Sequence, residues 1–414
     1  MYKSSTHSSL PFLTTQFDGT GGTIKTYEED FFVEEIPSYI PCGEGTHIYA
    51  QIEKNGISTM DALVQIANAL RITRKEIGYA GLKDAHAVTR QWISIEHIKP
   101  ERLLSLDIPN IKIIQIARHY NKLKLGHLAR NRFVIRLRNL KFPLKQSVKI
   151  AERIIAVLIR KGVPNYFGGQ RFGIRSDTHL LGEAISKVKI EEFVDIFLGQ
   201  PAIDESSTFA VARSFYERGD YKKALNTWPY SYSNQRRALK ALIVNKGNKK
   251  KAYNIIDKHL KRFFVSAYQS DLFNQVLAAR MPGIDKLFVG DMAYKHINGA
   301  CFRVDDAVLE QPRCDVFEIS PTGPLLGSHM TRLTGPAGDI ENSVLNTAGL
   351  ESGDFQQMSK YGGRGGRRPL RFRPHHPKVT TSQDKLGPYI ELQFELDSGC
   401  YATSFIREIS KTNL

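Results

Sequence analysis

The 414-residue sequence predicts an α+β protein of about two or three domains. Three observations predict this. Residues 131–138 and 390–397 alternate apolar with polar side chains, the period of two that marks a half-buried strand. Segments beginning at Ser58, Ser147 and Ser266 carry apolar residues at helical spacing and have start or stop signals. With 41% hydrophobic and 10% aromatic residues, the chain can bury more than one core.

In chain order, residues 1–22 are rich in Ser, Thr and Gly without a period and are expected to form a flexible arm, structure beginning near Thr23. The run GTGGT within it, Gly19 to Thr23, has the composition of a phosphate cradle and also of an ordinary turn. Ser58, Thr59, Met60 and Asp61 form a capping box, and Leu63, Ile66, Ala67 and Leu70 continue it as a helix. GYAGLKDAHAVTRQWISI then reads as strand, loop, strand, with Lys83, Asp84 and His86 in the loop. From Asn131, the apolar Phe133, Ile135 and Leu137 alternate with Arg132, Arg136 and Arg138, interrupted by Val134. That basic face suits either phosphates or solvent. A helix from about Ser147 to Arg160 is stopped by Gly162 and Pro164.

VPNYFGGQRFG, Val163 to Gly173, is dense in Gly, Pro and aromatic residues and is expected where the chain crosses between domains. Arg236 to Arg262 gathers Lys246, Lys249, Lys250, Lys251, Lys258 and Lys261 around Tyr253, either a grip on RNA or a solvated charge run. Ser266 to Arg280 reads as a core helix ended by Pro282 and Gly283. Residues 351–388 contain GGRGGRRPLRFRPHHP, with Arg364, Arg367, Arg368, Arg371 and Arg373, an RNA clamp or a linker back to the first domain. Ile390, Leu392, Phe394 and Leu396 then form an amphipathic strand leading into SGCYATSFIREI and a final helix from near Thr403.

The 58 Lys and Arg against 42 Asp and Glu leave a formal charge of +16, which favours a polyanionic partner, nucleic acid first. Cys42, Cys301, Cys314 and Cys400 lie far apart with no CxxC pair, so neither a disulfide framework nor a zinc knuckle is indicated, and a cytoplasmic location is expected. No apolar run reaches membrane-spanning length, and the start lacks the apolar core of a signal peptide. HExxH, the Walker lysine loop, GxSxG and a strand followed by GxGxxG are missing, and His375 and His376 have no neighbours to complete a metal site. What remains is Asp84, in a polar loop with Lys83, His86, Thr89 and Arg90 around it; an aspartate so placed can be catalytic or can merely shape the turn.

GLKDAHAVTRQW, KLKLGHLARNRF, VPNYFGGQRFG and SGCYATSFIRE, in that order, resemble the signature blocks of the TruD family of tRNA pseudouridine synthases. KTYEEDFFVEEI and SAYQSDLFNQ support the resemblance, which spans about Ile24 to Glu408 and is weakest at Ser176–His259 and Pro321–Lys385. It implies a pseudouridine-synthase catalytic domain with a mixed, largely antiparallel sheet, formed by residues 23–163 and 346–414, with an inserted α/β TRUD domain at 164–345. It implies a tRNA substrate, uridine 13 of the D arm being the usual target, and no cofactor; a monomer is the working assumption. Carried over by position, the catalytic carboxylate is Asp84 and the substrate contacts are Phe31, Asn131 and Tyr401, the last where the family more often has Phe. Arg407 is nominated first, and Lys25 second, as the supporting cation, whereas Lys83 is expected to point elsewhere.

The chemistry suits these residue types. The base must be cut from the sugar, turned and rejoined through carbon, so a carboxylate has to meet the ribose ionised, either attacking the anomeric carbon or removing a sugar proton. A nearby cation keeps such a carboxylate charged, and aromatic stacking offsets the cost of extruding the base. Two other functions fit the same residues: an RNA-binding protein without turnover, and a hydrolase that would need a second carboxylate from Glu34, Glu35 or Glu408.

Overall fold

The computed structural model describes residues 10–201 and 207–412. Two compact units divide the chain. The unit that carries Asp84 joins Thr14–Val163 to Phe372–Leu414; the inserted unit is Pro164–Arg371 with a leading segment that ends at Leu13.

In the Asp84 unit the strands are β1 (Gly21–Thr23), β2 (Phe31–Pro37), β3 (His47–Asn55), β4 (Gly78–Tyr79), β5 (Val88–Glu96), β6 (Ile111–His119), β7 (Leu128–Leu140), β8 (His375–Asp384) and β9 (Gly387–Asp397). They make one sheet in the order β8-β9-β7-β2-β5-β3-β6, with β1 added to β7 and β4 to β5. Only β2 and β5 pair in parallel, so the sheet is mixed and largely antiparallel as expected. The helices are α1 (Thr59–Leu70), α2 (Pro100–Leu104), α3 (Leu144–Lys161) and α4 (Ala402–Ser410).

Ser58 caps α1, its Oγ accepting from the Asp61 amide and its hydroxyl donating to the Asp61 carboxylate at 2.6 Å, and Arg71 closes the other end in the left-handed region. Its buried face, Ala62, Leu63, Ile66, Ala67 and Leu70, packs on Ile48, Ala50 and Ile52 of β3 and on Ile93 and Ile95 of β5. Because pairing partners share a face, the register puts Phe31, Val33 and Glu35 (β2), Asn131 and Phe133 (β7), Thr89 and Gln91 (β5), Lys54 (β3) and Phe394 (β9) on that same inner side. Phe133 stacks on Phe394 at 5.2 Å, and Phe394 meets Phe405 of α4 at 4.6 Å.

The outer side of β7 is not a free basic face. Arg130 bonds Asp397 at 3.0 Å, Arg136 lies 3.6 Å from Glu391, and Arg132 lies 3.7 Å from Glu34, so cross-strand carboxylates oppose the arginines. Arg138 is buried and grips Asp30 at 2.7 Å and Asp384 at 2.7 Å, joining the turn before β2 to the β8–β9 hairpin. The Arg138 guanidinium holds the Asp384 carboxyl down at about 2.

Two sequence expectations are corrected here. Of the expected arm at 1–22, residues 1–9 lie outside the described residues, but 14–22 belong to the folded unit. Thr14 and Thr20 are fully buried, Thr14 bonding the Glu408 carboxylate and the Thr20 amide bonding the Ile409 carbonyl, partners nearly 400 residues away in sequence that no local pattern reveals. The return to the Asp84 unit falls at Phe372 rather than 346, because residues 346–371 are built into the inserted unit. There Phe355 and Met358 enter its core, Gly366–Pro369 pairs with Ile319–Leu325, and Arg367 bonds Glu341 at 2.6 Å. Arg371 is fully buried against Ser320 and Cys314. The arginine-rich run is therefore neither a linker nor, at Arg367 and Arg371, a surface.

The inserted unit centres on the helix Lys258–Ala279, whose Phe264, Val265, Tyr268 and Leu272 lie in its main core, as expected of a core helix. Part of its basic run is structural: Lys249 pairs with Asp195 at 2.7 Å, and the buried Lys261 lies 3.9 Å over the Tyr253 ring. Among the described residues no helix is long and apolar enough to cross a membrane.

Replacing Arg138 by Met strands the buried Asp30 carboxylate and is expected to cost about 3–5 kcal/mol in urea unfolding. The Asp384 contribution has a lowered folded pKa, so it is present above the ordinary value of 3.8 and lost as pH falls through about 2; R138M should flatten that acid limb.

Candidate active site

Residues 80–87 connect β4 to β5 across the inner face of the sheet, and Asp84 sits on this loop. A polar loop over an apolar face needs partners for its main chain. At the loop's start the Ala80 carbonyl accepts from the Gly126 amide at 2.9 Å. The Lys83 amide donates to Thr59 Oγ1 at 2.8 Å, and that hydroxyl donates to Gln91 Oε1 at 2.9 Å. Lys54 Nζ donates to the Asp84 carbonyl at 2.6 Å and to the Ile57 carbonyl at 2.7 Å.

Lys83 turns away from Asp84, as expected, and meets Glu35 at 2.8 Å with both side chains buried. Burial raises the Glu35 pKa, and the Lys83 ammonium opposes the rise. Lys54 is fully buried, and burial pushes its ammonium down to about 8 against the pull of Asp84.

The cation paired with Asp84 is Lys25, its Nζ 3.2 Å from Oδ2; the Asp84 side chain remains 36% exposed. Lys25 itself is held in the left-handed region at φ 56°, a conformation that costs a residue with a Cβ and places its side chain over the ring of Phe31 at 4.4 Å. Arg407, nominated ahead of Lys25, lies in α4, where its carbonyl accepts the Lys411 amide that ends the helix. The order of the two nominations is thus reversed by geometry: Lys25 is distant from Asp84 in sequence, and a backbone turn brings it over.

Phe31 is 2% exposed, edge-on to Phe133 at 6.2 Å, with Lys25 on its face. Asn131 pairs in register with Glu35, so the strand neighbour of the Asn131 amide is the carboxylate that anchors Lys83; the Asn131 Oδ1 is buried without a hydrogen-bond partner among the described residues. Tyr401 is half-buried at the N-cap of α4. Phe31, Asn131 and Glu35 thereby share the face on which the Asp84 loop lies.

Lys54, Thr59 and Gln91 escaped the sequence reading. Lys54 had a signal: it occupies an inward position after Ile48, Ala50 and Ile52, where an ammonium must find buried acceptors.

A solved structure from Methanosarcina mazei, described as a putative tRNA pseudouridine synthase D (TruD), superposes with a TM-score of 0.85 at 27% identity, over 97% of this chain and 96% of that one. Two relatives named tRNA pseudouridine synthase D are each 42% identical over 400 residues. That of Geobacter metallireducens is matched over 97% of both chains, and that of Geobacter sulfurreducens over 97% of this chain and 96% of its own. The family model for tRNA pseudouridine synthase D (TruD) matches residues 9–409. The chain belongs to the TruD family of tRNA pseudouridine synthases.

Lys83→Met leaves the Glu35 carboxylate buried and unpaired, and is expected to lose about 3–5 kcal/mol of stability in urea unfolding. Glu35→Gln, which keeps an acceptor for the loop, should lose less.

Proposed function

We propose that this chain isomerises uridine to pseudouridine in tRNA, at uridine 13 of the D arm, with Asp84 as the catalytic carboxylate and without a metal or organic cofactor. The observation that carries the reading is the Asp84–Lys25 pair at 3.2 Å on a loop whose backbone is pinned by Lys54 and Thr59 while the carboxylate stays one-third exposed. Lys25 sets a positive charge beside the carboxylate that would either attack the anomeric carbon or remove a sugar proton.

The extruded uracil would be held by Phe31, Asn131 and Tyr401. Lys25 covers the face of Phe31, so stacking there requires the lysine to swing aside as the base enters, a motion that also uncovers Asp84. The unpartnered Asn131 Oδ1 is an acceptor suited to an N–H of the uracil edge. Arg407 is kept in this reading as a further cation on the helix that follows Tyr401. A cytoplasmic location and a monomer acting on tRNA complete it.

The hydrolase alternative needs a second carboxylate, and its three candidates are otherwise engaged. Glu35 is paired with Lys83, Glu34 faces Arg132, and Glu408 receives Thr14 and Lys411.

The test is incubation with unmodified tRNA transcripts and mapping of pseudouridine at single-nucleotide resolution, with Asp84→Asn beside the wild type. Modification at position 13, reduced on the order of 10³-fold or more in the variant while tRNA affinity is largely kept, is the expected outcome. Modification elsewhere would overturn the substrate, and turnover by D84N would overturn the role of the carboxylate.

A further inference from the structure

Lys54 lies near the end of β3 on the inner face of the sheet and is 0% exposed. An apolar side chain would fill this position as Ile48, Ala50 and Ile52 fill the earlier ones, and would avoid the cost of burying an ammonium. What an apolar residue could not do is donate to the Asp84 carbonyl at 2.6 Å and to the Ile57 carbonyl at 2.7 Å. Those bonds are charge-assisted and tie the segment entering α1 to the residue that carries the carboxylate. We infer that Lys54 is a positioning residue for the isomerisation, fixing the main chain from which Asp84 projects. The inference rests on Asp84 being the catalytic carboxylate.

The charged groups acting on Lys54 both come from the loop, Asp84 raising and Lys83 lowering its affinity for a proton; Thr89 on β5 and Ile111 on β6, opposite it in register, are uncharged. Burial leaves the ammonium with a pKa of about 8, so the charged form that grips both carbonyls prevails below that pH and is lost above it. Turnover should then decline as pH rises through about 8, without a parallel loss of tRNA binding.

The experiment compares wild type, Lys54→Met, Lys54→Gln and Asp84→Asn in single-turnover reactions on full-length tRNA transcripts across a pH range bracketing that value. Transcript affinity and urea unfolding are measured on the same proteins. K54M is expected to slow the bound reaction on the order of 10²-fold, the scale of a roughly 1 Å misplacement, with little change in affinity and without the alkaline limb of the wild type. K54Q, which keeps an N–H donor, should recover part of the rate and also lack the limb.

A folded K54M or K54Q with wild-type rate, a rate loss equal to the loss of folded protein, or an alkaline limb that persists in both variants would overturn the inference. Normal turnover by D84N would instead remove the reading on which it rests. An inactive D84N beside a wild-type-like K54M would remove the role of Lys54 alone.

Discussion

The Asp84 unit depends on polar anchorage beneath a loop that crosses an apolar sheet face. Backbone groups removed from water there must be paired, and unpaired ones cost about 1–3 kcal/mol each. Three strands and one helix meet that demand: Glu35 takes Lys83, Lys54 takes the Asp84 carbonyl, and Gln91 holds the Thr59 hydroxyl that receives the Lys83 amide. Glu35, Lys54 and Gln91 point inward because of their strand register, so the site exists only once the sheet has assembled. The buried charges of Glu35 and Lys83 also neutralise one another.

The opposite face obeys the same electrostatic rule with another outcome. Arg130, Arg132 and Arg136 each face a carboxylate on an adjacent strand, and Arg138 closes a buried junction with Asp30 and Asp384. In the inserted unit, Arg367, Arg371 and Lys261 are likewise interior. A formal charge of +16 is therefore a poor map of where phosphate can bind, since many cations hold the protein together. Lys25 differs in kind. It is partly exposed and strained, lies over an aromatic ring, and pairs with the one carboxylate that the loop presents.

Much of the architecture was legible in the sequence. The N-cap at Ser58, the alternation in β7 and β9, and the strand-loop-strand around Asp84 are local patterns, and local sterics and periodicity suffice to express them. The four blocks resembling the TruD family added the order of the parts and the substrate class. The return boundary was displaced because an arginine-rich stretch reads as exposed and flexible unless its distant partners, Glu341, Ser320 and Cys314, are known. The supposed arm failed for the same reason, its buried threonines being held by the last helix.

By itself, then, the sequence determined the elements, the polar loop with its aspartate and the kinship, because each is written in neighbouring residues. Only the tertiary structure decided that Lys25 rather than Arg407 pairs with Asp84, that Lys54 lies beneath it, and that the arginines of β7 face carboxylates. Those outcomes turn on strand register and a single left-handed residue. One step of register exchanges the two faces of a strand, and no short stretch of sequence records which strand becomes its neighbour.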